Sequence, residues 1–114
     1  MASTEREEQI RLLKRIRRDW PWLMVMAIPN GGKRTALEGA RMREEGQLKG
    51  APDLFFPELR LFIELKAAGG RLTPEQKDVL AKLERYGYQV AVCFGADAAH
   101  EKIKQVIDGF LSNR

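Results

Sequence analysis

The sequence predicts an α/β protein in which a mixed β-sheet is flanked by helices. Three segments carry apolar residues at helical spacing, four short apolar runs are bounded by turn residues, and two of those runs are separated only by Pro57 to Arg60. The predicted order is α-β-α-β-β-α-β-α. We expect one domain to span residues 1–114, because a chain of this length typically forms a single domain.

The first predicted elements are a helix from about Thr4 to Asp19 and a strand from Leu23 to Ile28. Thr4 and Glu7 have the spacing of a capping box, in which each side chain binds the other residue's backbone N–H. An apolar stripe at helical spacing follows: Ile10, Leu12, Leu13 and Ile16. Pro21 ends the helix, and the strand is predicted to be short and buried.

A polar loop leads to a second helix and then to a hairpin. The helix is predicted from Thr35 to Glu45, with Thr35 and Glu38 as a second capping box. The strands Leu54–Phe56 and Leu61–Lys66 follow each other closely, so we expect them to pair in antiparallel fashion.

A helix, a strand and a last helix complete the chain. The run Thr73-Pro74-Glu75-Gln76 starts the helix, because Thr caps it, Pro fits its first position and Gln stands three residues after the cap. Its predicted buried face is Val79, Leu80, Leu83 and Tyr86. A buried strand at Tyr88–Phe94 follows this crossover and should be parallel to its partner. The last helix, Asp97 to Leu111, is predicted to bury Ile103, Val106, Ile107 and Phe110.

The composition excludes several kinds of site. The single cysteine, Cys93, cannot form an internal disulfide, and together with the single histidine, His100, it cannot build a His/Cys zinc cluster within one chain. A hard cation needs only Asp and Glu and is compatible with the composition. We expect Cys93 to be a core thiol and His100 to be a surface residue.

The charge and hydropathy of the chain restrict its surroundings. The net charge of +4 permits a polyanionic partner without requiring one. The polar, acidic start does not match a signal peptide, and no apolar run is long enough to span a bilayer. We therefore expect a cytoplasmic protein with no membrane partner.

The second hairpin strand places an acid and a base on one face. Side chains alternate between the faces of a strand, so Glu64 and Lys66 project together with Phe62. If the turn is centred between Glu58 and Leu59, Asp53 faces Glu64 across the hairpin, with β-carbons roughly 4.5–5.5 Å apart. A register shifted by one residue would turn Asp53 to the other face.

Two carboxylates held this close repel each other unless a cation lies between them. Asp53 and Glu64 are therefore predicted to bind Mg²⁺ or Mn²⁺, with the backbone carbonyl of Leu65 as an extra ligand. Such an ion polarises a phosphodiester and activates a bound water. Lys66 would orient that water or stabilise the charge that develops on the phosphate.

These residues resemble the PD-(D/E)xK nuclease superfamily, through Pro52-Asp53 followed by Glu64-Leu65-Lys66. A longer ordered pattern is similar to the virus-type replication-repair nuclease (VRR-NUC) family and covers nearly the whole chain. Its segments are Glu5 with Gln9, Ile28-Pro29-Asn30-Gly31-Gly32-Lys33-Arg34, Gly50-Ala51-Pro52-Asp53-Leu54, Phe62-Ile63-Glu64-Leu65-Lys66, Leu72-Thr73-Pro74-Glu75-Gln76 and Gly87-Tyr88-Gln89-Val90-Ala91-Val92.

The resemblance implies a restriction-endonuclease-like fold and structure-specific, Mg²⁺- or Mn²⁺-dependent DNA cleavage. Small free-standing members, often from bacteria or phages, resemble junction-resolving enzymes that act as homodimers, and longer relatives cut flaps. The leading hypothesis is therefore a homodimeric endonuclease that resolves Holliday junctions in a bacterial or phage-infected cell. The alternatives are a monomeric flap or nicking nuclease and a non-catalytic DNA-binding module.

The resemblance also extends the predicted site to two further residues. It places a metal-binding acid at Glu5, four residues before Gln9, although Glu8 is an alternative and any acid in the first turn of a helix is favoured by the helix dipole. It places Gln76 near the active site, although this residue also completes the capping box of Thr73.

Basic and aromatic residues are less specific signals. Lys33, Arg34 and Arg41 are predicted DNA contacts, because they stand near the site in sequence and Gly31-Gly32 permits close approach to a phosphate. A basic face of the first helix is either a solvated surface or a DNA contact: Arg11, Lys14, Arg15 and Arg18. The pair Trp20 and Trp22 is predicted to lie in the core or in a dimer interface.

Overall fold

The computed structural model describes residues 2–29 and 35–112. Within them the elements are α1 Glu5–Asp19, β1 Met26–Ala27, α2 Ala36–Glu44, β2 Leu54–Phe56, a 3-10 turn Pro57–Leu59, β3 Leu61–Lys66, α3 Pro74–Arg85, β4 Gln89–Phe94 and α4 Ala96–Ser112. The predicted order of helices and strands is confirmed. None of the helices in the described ranges is long and apolar enough to cross a membrane.

The four strands form one mixed sheet in the order β1-β2-β3-β4. The hairpin register pairs Leu54 with Ile63 and Phe56 with Leu61, as the position of the turn predicted. Arg60 closes the turn in the left-handed conformation, with φ of 50°. Strand β4 pairs with β3 in parallel, as expected after a helical crossover.

The hydrophobic core lies between one face of this sheet and helices α1 and α4. The sheet contributes alternate residues, which is the pattern expected when one face of a strand is covered. The largest fully buried side chains of the core are Leu12, Ile16, Leu54, Phe56, Leu61, Ile63, Leu65 and Ile103. Burying each such side chain stabilises the fold by roughly 1.5–3 kcal/mol. Cys93 is buried in this core, which confirms the predicted thiol position.

The helix starts follow the predicted caps with one exception. Both halves of the capping box are formed at Thr4 and Glu7, and again at Thr73 and Gln76. At the start of α2, the Thr35 side chain accepts the hydrogen bond from the Glu38 backbone N–H at 3.1 Å, but the reciprocal bond is not formed. Helix α2 buries none of its residues.

Several predicted burial assignments are wrong, and each lies at an edge or an end of the fold. Strand β1 is an exposed two-residue edge strand rather than a buried strand over residues 23–28, because only β2 pairs with it. Strand β4 forms the opposite edge, and Phe94 is 54% exposed. Tyr86 and Phe110 are also exposed, because Tyr86 is the C-cap of α3 and Phe110 lies in the last turn of α4.

The C-terminal end of α1 is fixed to α4 by a small polar cluster. The ring of His100 stacks on Trp20 at 4.5 Å, and its Nε2 lies 2.7 Å from Oδ2 of Asp19. The hydrogen bonds from Arg18 and then His100 hold the pKa of Asp19 below its usual range. His100 is therefore partly buried rather than a surface residue, whereas Trp22 is 54% exposed.

Candidate active site

Three carboxylates from separate elements meet at the end of the sheet. Glu5 is the first residue of α1, Asp53 immediately precedes β2, and Glu64 lies within β3. One oxygen of each lies within 4.8 Å of the others. The structure therefore brings together the two acids that the hairpin register predicted and Glu5.

Backbone hydrogen bonds fix the position of Asp53. Its Oδ2 accepts the Leu65 backbone N–H at 2.7 Å, and its carbonyl accepts the Ile28 N–H at 2.8 Å. The hairpin register continued by one step beyond Leu54 places Asp53 opposite Glu64. Asp53 is therefore held by hydrogen bonds from Ile28 on one side and from Leu65 on the other, rather than by the loop that precedes it.

Glu64 is almost completely buried, with 1% of its surface exposed. Its Oε2 accepts a hydrogen bond from Nε2 of Gln76 at 3.0 Å and lies 3.3 Å from Nζ of Lys66. Its Oε1 is also buried and has no hydrogen-bond partner among the described residues. A buried carboxylate oxygen without a partner is costly, so this atom is suited to a ligand.

Gln76 joins the helix cap to the acidic cluster. Its Oε1 accepts the Thr73 backbone N–H at 2.9 Å and the Lys66 ammonium at 3.1 Å, while its Nε2 donates to Glu64. Gln76 therefore completes the capping box of Thr73 and also contacts the acidic cluster. The ammonium of Lys66 is held between the glutamine and the glutamate, and the Lys66 side chain is only 7% exposed.

The electrostatics of the cluster disfavour two ionised acids. Burial, followed by the negative charge of Asp53, raises the pKa of Glu64 to about 7, against the weaker opposing effect of Lys66. Burial also raises the pKa of Asp53, although its hydrogen bond from Leu65 opposes the change. A divalent cation would relieve this repulsion.

The donor set fits a hard divalent cation. Mg²⁺ and Mn²⁺ prefer oxygen ligands, and the site offers the carboxylates of Glu5, Asp53 and Glu64. Oε1 of Glu64 has no hydrogen-bond partner among the described residues. Leu65 lines the same cavity, and its carbonyl stays a predicted ligand. The softer donors that zinc favours, Cys93 and His100, do not line this cavity.

The acids open into a cavity of about 680 Å³, one side of which is formed by α1. This side comprises Arg6, Gln9, Ile10 and Leu13. The sequence connects Gln9 with Glu5 through the family pattern but does not connect the other three with the site. The signal was present in the spacing, because residues 6, 9, 10 and 13 share one helical face with the stripe that was assigned to the core. Ile10 is 37% exposed and borders the cavity instead.

Glu8, the alternative N-terminal acid, lies outside the acidic cluster. Its Oε1 accepts the Ala96 backbone N–H at 2.8 Å, and its Oε2 accepts from Arg11 at 2.7 Å. The hydrogen bond from Ala96 holds the pKa of Glu8 below its usual range. The residue before Ala96, Gly95, donates its N–H to the Lys66 carbonyl at 2.9 Å. Glu8 therefore attaches the first turns of α1 to the start of α4, next to the active site.

The two glutamates give a matched pair of variants. Glu5→Gln is expected to leave the melting temperature within about 2 °C of wild type but to raise the Mg²⁺ concentration needed for half-maximal cleavage roughly 10-fold or more, as for a weakened metal site. Glu8→Ala is expected to lower the melting temperature on the order of 5 °C, because α4 loses its capping acceptor. If Glu8→Ala raises the Mg²⁺ requirement and Glu5→Gln lowers the melting temperature, Glu8 is the metal-binding acid and Glu5 is the structural one.

The raised pKa of Glu64 predicts how stability depends on pH without metal. Between its ordinary pKa of 4.5 and about 7, the folded protein binds a proton that the unfolded chain does not. The contribution of Glu64 therefore favours folding at pH 5 and is lost as the pH rises through 7. Thermal melts in EDTA should show this loss in wild type relative to Glu64→Gln, which we expect to be the more stable protein at pH 8. If the difference in melting temperature between wild type and Glu64→Gln is the same at pH 5 and at pH 8, the prediction is wrong.

Gly50 allows the loop before Asp53 to contact the start of α3. Its φ is +90°, and a Cβ there would lie 2.7 Å from the backbone C and O of Glu75. Gly50→Ala is therefore expected to destabilise the fold by roughly 2–4 kcal/mol and to lower cleavage by displacing Gln76. Gly46→Ala is the control, because Gly46 also has a positive φ of 98° but a Cβ there meets nothing within 4 Å. Equal denaturation midpoints for the two variants would rule out the backbone clash as the cause.

Of the predicted DNA-binding residues, only Arg41 lies in the described ranges, and it does not line this cavity. Arg41 is exposed on α2, and Lys33 and Arg34 lie outside the described residues. Most of the basic face of α1 is engaged within the fold, since Arg11 pairs with Glu8, Arg15 with Asp97, and Arg18 with Asp19.

Comparisons with known proteins find one matching domain family and a similar solved structure. The model of the VRR-NUC domain family matches residues 28–97, a segment that contains Asp53, Glu64, Lys66 and Gln76 but not Glu5. A solved structure described as a VRR_NUC domain protein superposes with a TM-score of 0.79 at 26% sequence identity, covering 95% of this chain and 91% of that chain. A comparison with curated proteins gives no significant match.

Proposed function

Because the chain belongs to the VRR-NUC family and is therefore a nuclease domain with DNA as its partner, we propose that it is a metal-dependent endonuclease for branched DNA. The most specific form of the proposal is a homodimer that resolves Holliday junctions. The observation that supports it is the convergence of three carboxylate oxygens within 4.8 Å, beside a buried lysine and in the wall of an open cavity.

The carboxylates of Asp53, Glu64 and Glu5 and the carbonyl of Leu65 would hold Mg²⁺ or Mn²⁺. When bound, the ion supplies a Lewis acid for the phosphate and lowers the pKa of a coordinated water. Asp53 and Glu64 are held by strand pairing, so their oxygens need little rearrangement to accept an ion.

Lys66 and Gln76 would carry out the remaining chemistry. The Lys66 ammonium donates to Gln76 and lies beside Glu64, so it is the buried positive charge closest to the predicted ligands. From there it orients the attacking water or stabilises the charge that develops on the phosphate oxygens. Gln76 keeps the ammonium in place and donates to Glu64, which leaves the other oxygen of that acid for the ion.

The proposed dimer follows from the symmetry of the substrate. A four-way junction is cut by two nicks related by a two-fold axis, and a two-fold dimer presents two identical active sites in that relation. One site per chain, in a chain of 114 residues, would then suffice for both nicks. The proposal places the protein in the cytoplasm, where its DNA substrates lie.

The test is cleavage of four-way junctions, flaps and linear duplex in Mg²⁺, Mn²⁺ or EDTA, with the molar mass measured by light scattering. Paired symmetric nicks on junctions by a dimer support the full proposal. Cleavage of flaps alone by a monomer would replace it with the flap or nicking nuclease. DNA binding without cleavage in either metal would replace it with a non-catalytic binding module.

A further inference from the structure

One wall of the active-site cavity lies outside the cluster of three carboxylates. It is formed by four side chains of α1, here termed the α1 wall: Arg6, Gln9, Ile10 and Leu13. Positions three, four and seven residues apart lie on one face of a helix, so these side chains form a continuous surface. The wall carries one cation, one amide and two aliphatic side chains, of which only the Gln9 amide oxygen could be a ligand for a hard cation.

The cavity is large enough for a ligand bigger than a metal ion and one phosphate. Its volume of about 680 Å³ falls within the roughly 300–1,000 Å³ of pockets that enclose drug-sized molecules. A hydrated ion or a phosphate would not bury the apolar surface of Ile10 and Leu13, because such ligands are strongly solvated. The apolar part of the wall would be covered by an apolar surface on the substrate.

The largest apolar surface that DNA offers is the face of an unstacked base. In a duplex the faces of each base are covered by their neighbours, whereas an unpaired base can pack its faces against protein side chains. We propose that the α1 wall binds an unpaired nucleotide next to the scissile phosphate. Ile10 and Leu13 pack against its base, Gln9 hydrogen-bonds to its edge, and Arg6 pairs with its phosphate.

The charges in the cavity agree with this assignment. The described part of the lining holds two cations. Lys66 is buried against Glu64 and Gln76, whereas Arg6 is exposed and forms no ion pair with a described residue. Arg6 is thus free to contact a phosphate beside the one at the acidic cluster. The inference rests on the proposed function only for the identity of the scissile phosphate.

This subsite would contribute to the selection of branched DNA. Drawing a paired base into the cavity costs its stacking and pairing energy, whereas a base in a flap or at a junction is already free or easily freed. The preference for branched DNA would then arise within each active site, in addition to any contribution from dimer symmetry.

The test is a binding measurement on the full chain carrying Asp53→Asn, so that the DNA stays intact. A flap with 2-aminopurine as its first unpaired nucleotide reports the environment of that base. Ile10→Ser is expected to weaken binding of the flap about 10-fold and to abolish the fluorescence change, the size expected for losing one base contact. Arg6→Ala is expected to weaken binding severalfold and to reduce the salt dependence by about one phosphate contact.

Two controls make the result specific. Arg17→Ala removes an exposed arginine from the same helix but outside the cavity and should change neither affinity nor fluorescence. Ile10→Met keeps an apolar side chain and should restore both. Thermal melts of each variant verify folding. If Ile10→Ser binds the flap like its parent, or an abasic nucleotide at the labelled position binds as tightly as a base, the α1 wall is not the nucleotide subsite.

The outcome separates this inference from the proposed function. Metal-dependent cleavage by the wild-type chain with no effect of Ile10 would overturn the α1 wall alone. A fluorescence change that depends on Ile10, together with no cleavage in Mg²⁺ or Mn²⁺, would support the wall and overturn the nuclease mechanism.

Discussion

Asp53→Asn and Glu64→Gln are each expected to reduce cleavage of branched DNA on the order of 1,000-fold or more, because the bound ion supplies several kcal/mol of transition-state stabilisation. Each substitution keeps the size of the side chain but removes the negative charge that a divalent cation requires. The fold should persist, since the pKa of each acid is raised and the ionised pair is a source of repulsion in the metal-free protein.

The measurement is single-turnover cleavage over a titration of Mg²⁺ and Mn²⁺, with metal binding followed by calorimetry. Both variants should bind metal more weakly, while DNA affinity without metal is unchanged or increased, because one negative charge facing the phosphates has been removed. Glu84→Gln is the matched control, since Glu84 is an exposed acid on α3 outside the cavity. Cleavage by highly purified Asp53→Asn protein at the wild-type rate in Mg²⁺ would rule out the acidic cluster as the catalytic metal site.

The hairpin half of this site could be predicted from the sequence because two local constraints act on it. The period-2 alternation in β3 puts Glu64 and Lys66 on one face, and the short turn fixes the register that brings Asp53 opposite Glu64. A shift of one residue would have exposed the apolar side chains of both strands. Burial of one sheet face therefore specified the geometry of the acids together with the core.

The choice between Glu5 and Glu8 could not be predicted in the same way. Both acids stand in the first turn of α1, and the apolar stripe of Ile10, Leu12, Leu13 and Ile16 is too wide to fix how that helix is rotated against the sheet. The rotation follows from burial of Leu12 and Ile16, and it turns Glu8 toward the Ala96 backbone N–H, 88 residues away along the chain. A contact between residues so distant in sequence leaves no local signal.

The misassigned apolar residues show a related limit. Periodicity identified the apolar side of each helix, but it does not reveal where the covered area of the sheet ends. Tyr86 and Phe110 continue the stripes of α3 and α4 beyond that area and are exposed. Ile10 continues the stripe of α1 in the opposite direction and borders the active-site cavity. An apolar residue at the end of a helical stripe can thus belong to a binding site.

Lys66 is expected to contribute to the chemical step rather than to metal binding. Lys66→Met keeps the length and apolar stem of the side chain and removes only the charge. We expect the cleavage rate at saturating metal to fall roughly 100- to 1,000-fold, the range for removing one group that stabilises charge in a transition state. The metal concentration for half-maximal activity should change little, in contrast to Asp53→Asn.

Because Lys66 is buried, we expect that arginine cannot replace it. Its ammonium lies 3.1 Å from Gln76 Oε1 and 3.3 Å from Glu64 Oε2, and the Lys66 side chain is 7% exposed. The larger, planar guanidinium of Lys66→Arg does not fit this buried position. Lys77→Met, an exposed lysine on the same helix as Gln76, is the control. Full activity of Lys66→Arg would show that the site needs only a positive charge, and loss of metal binding in Lys66→Met would show that the lysine organises the acids instead of acting on the phosphate.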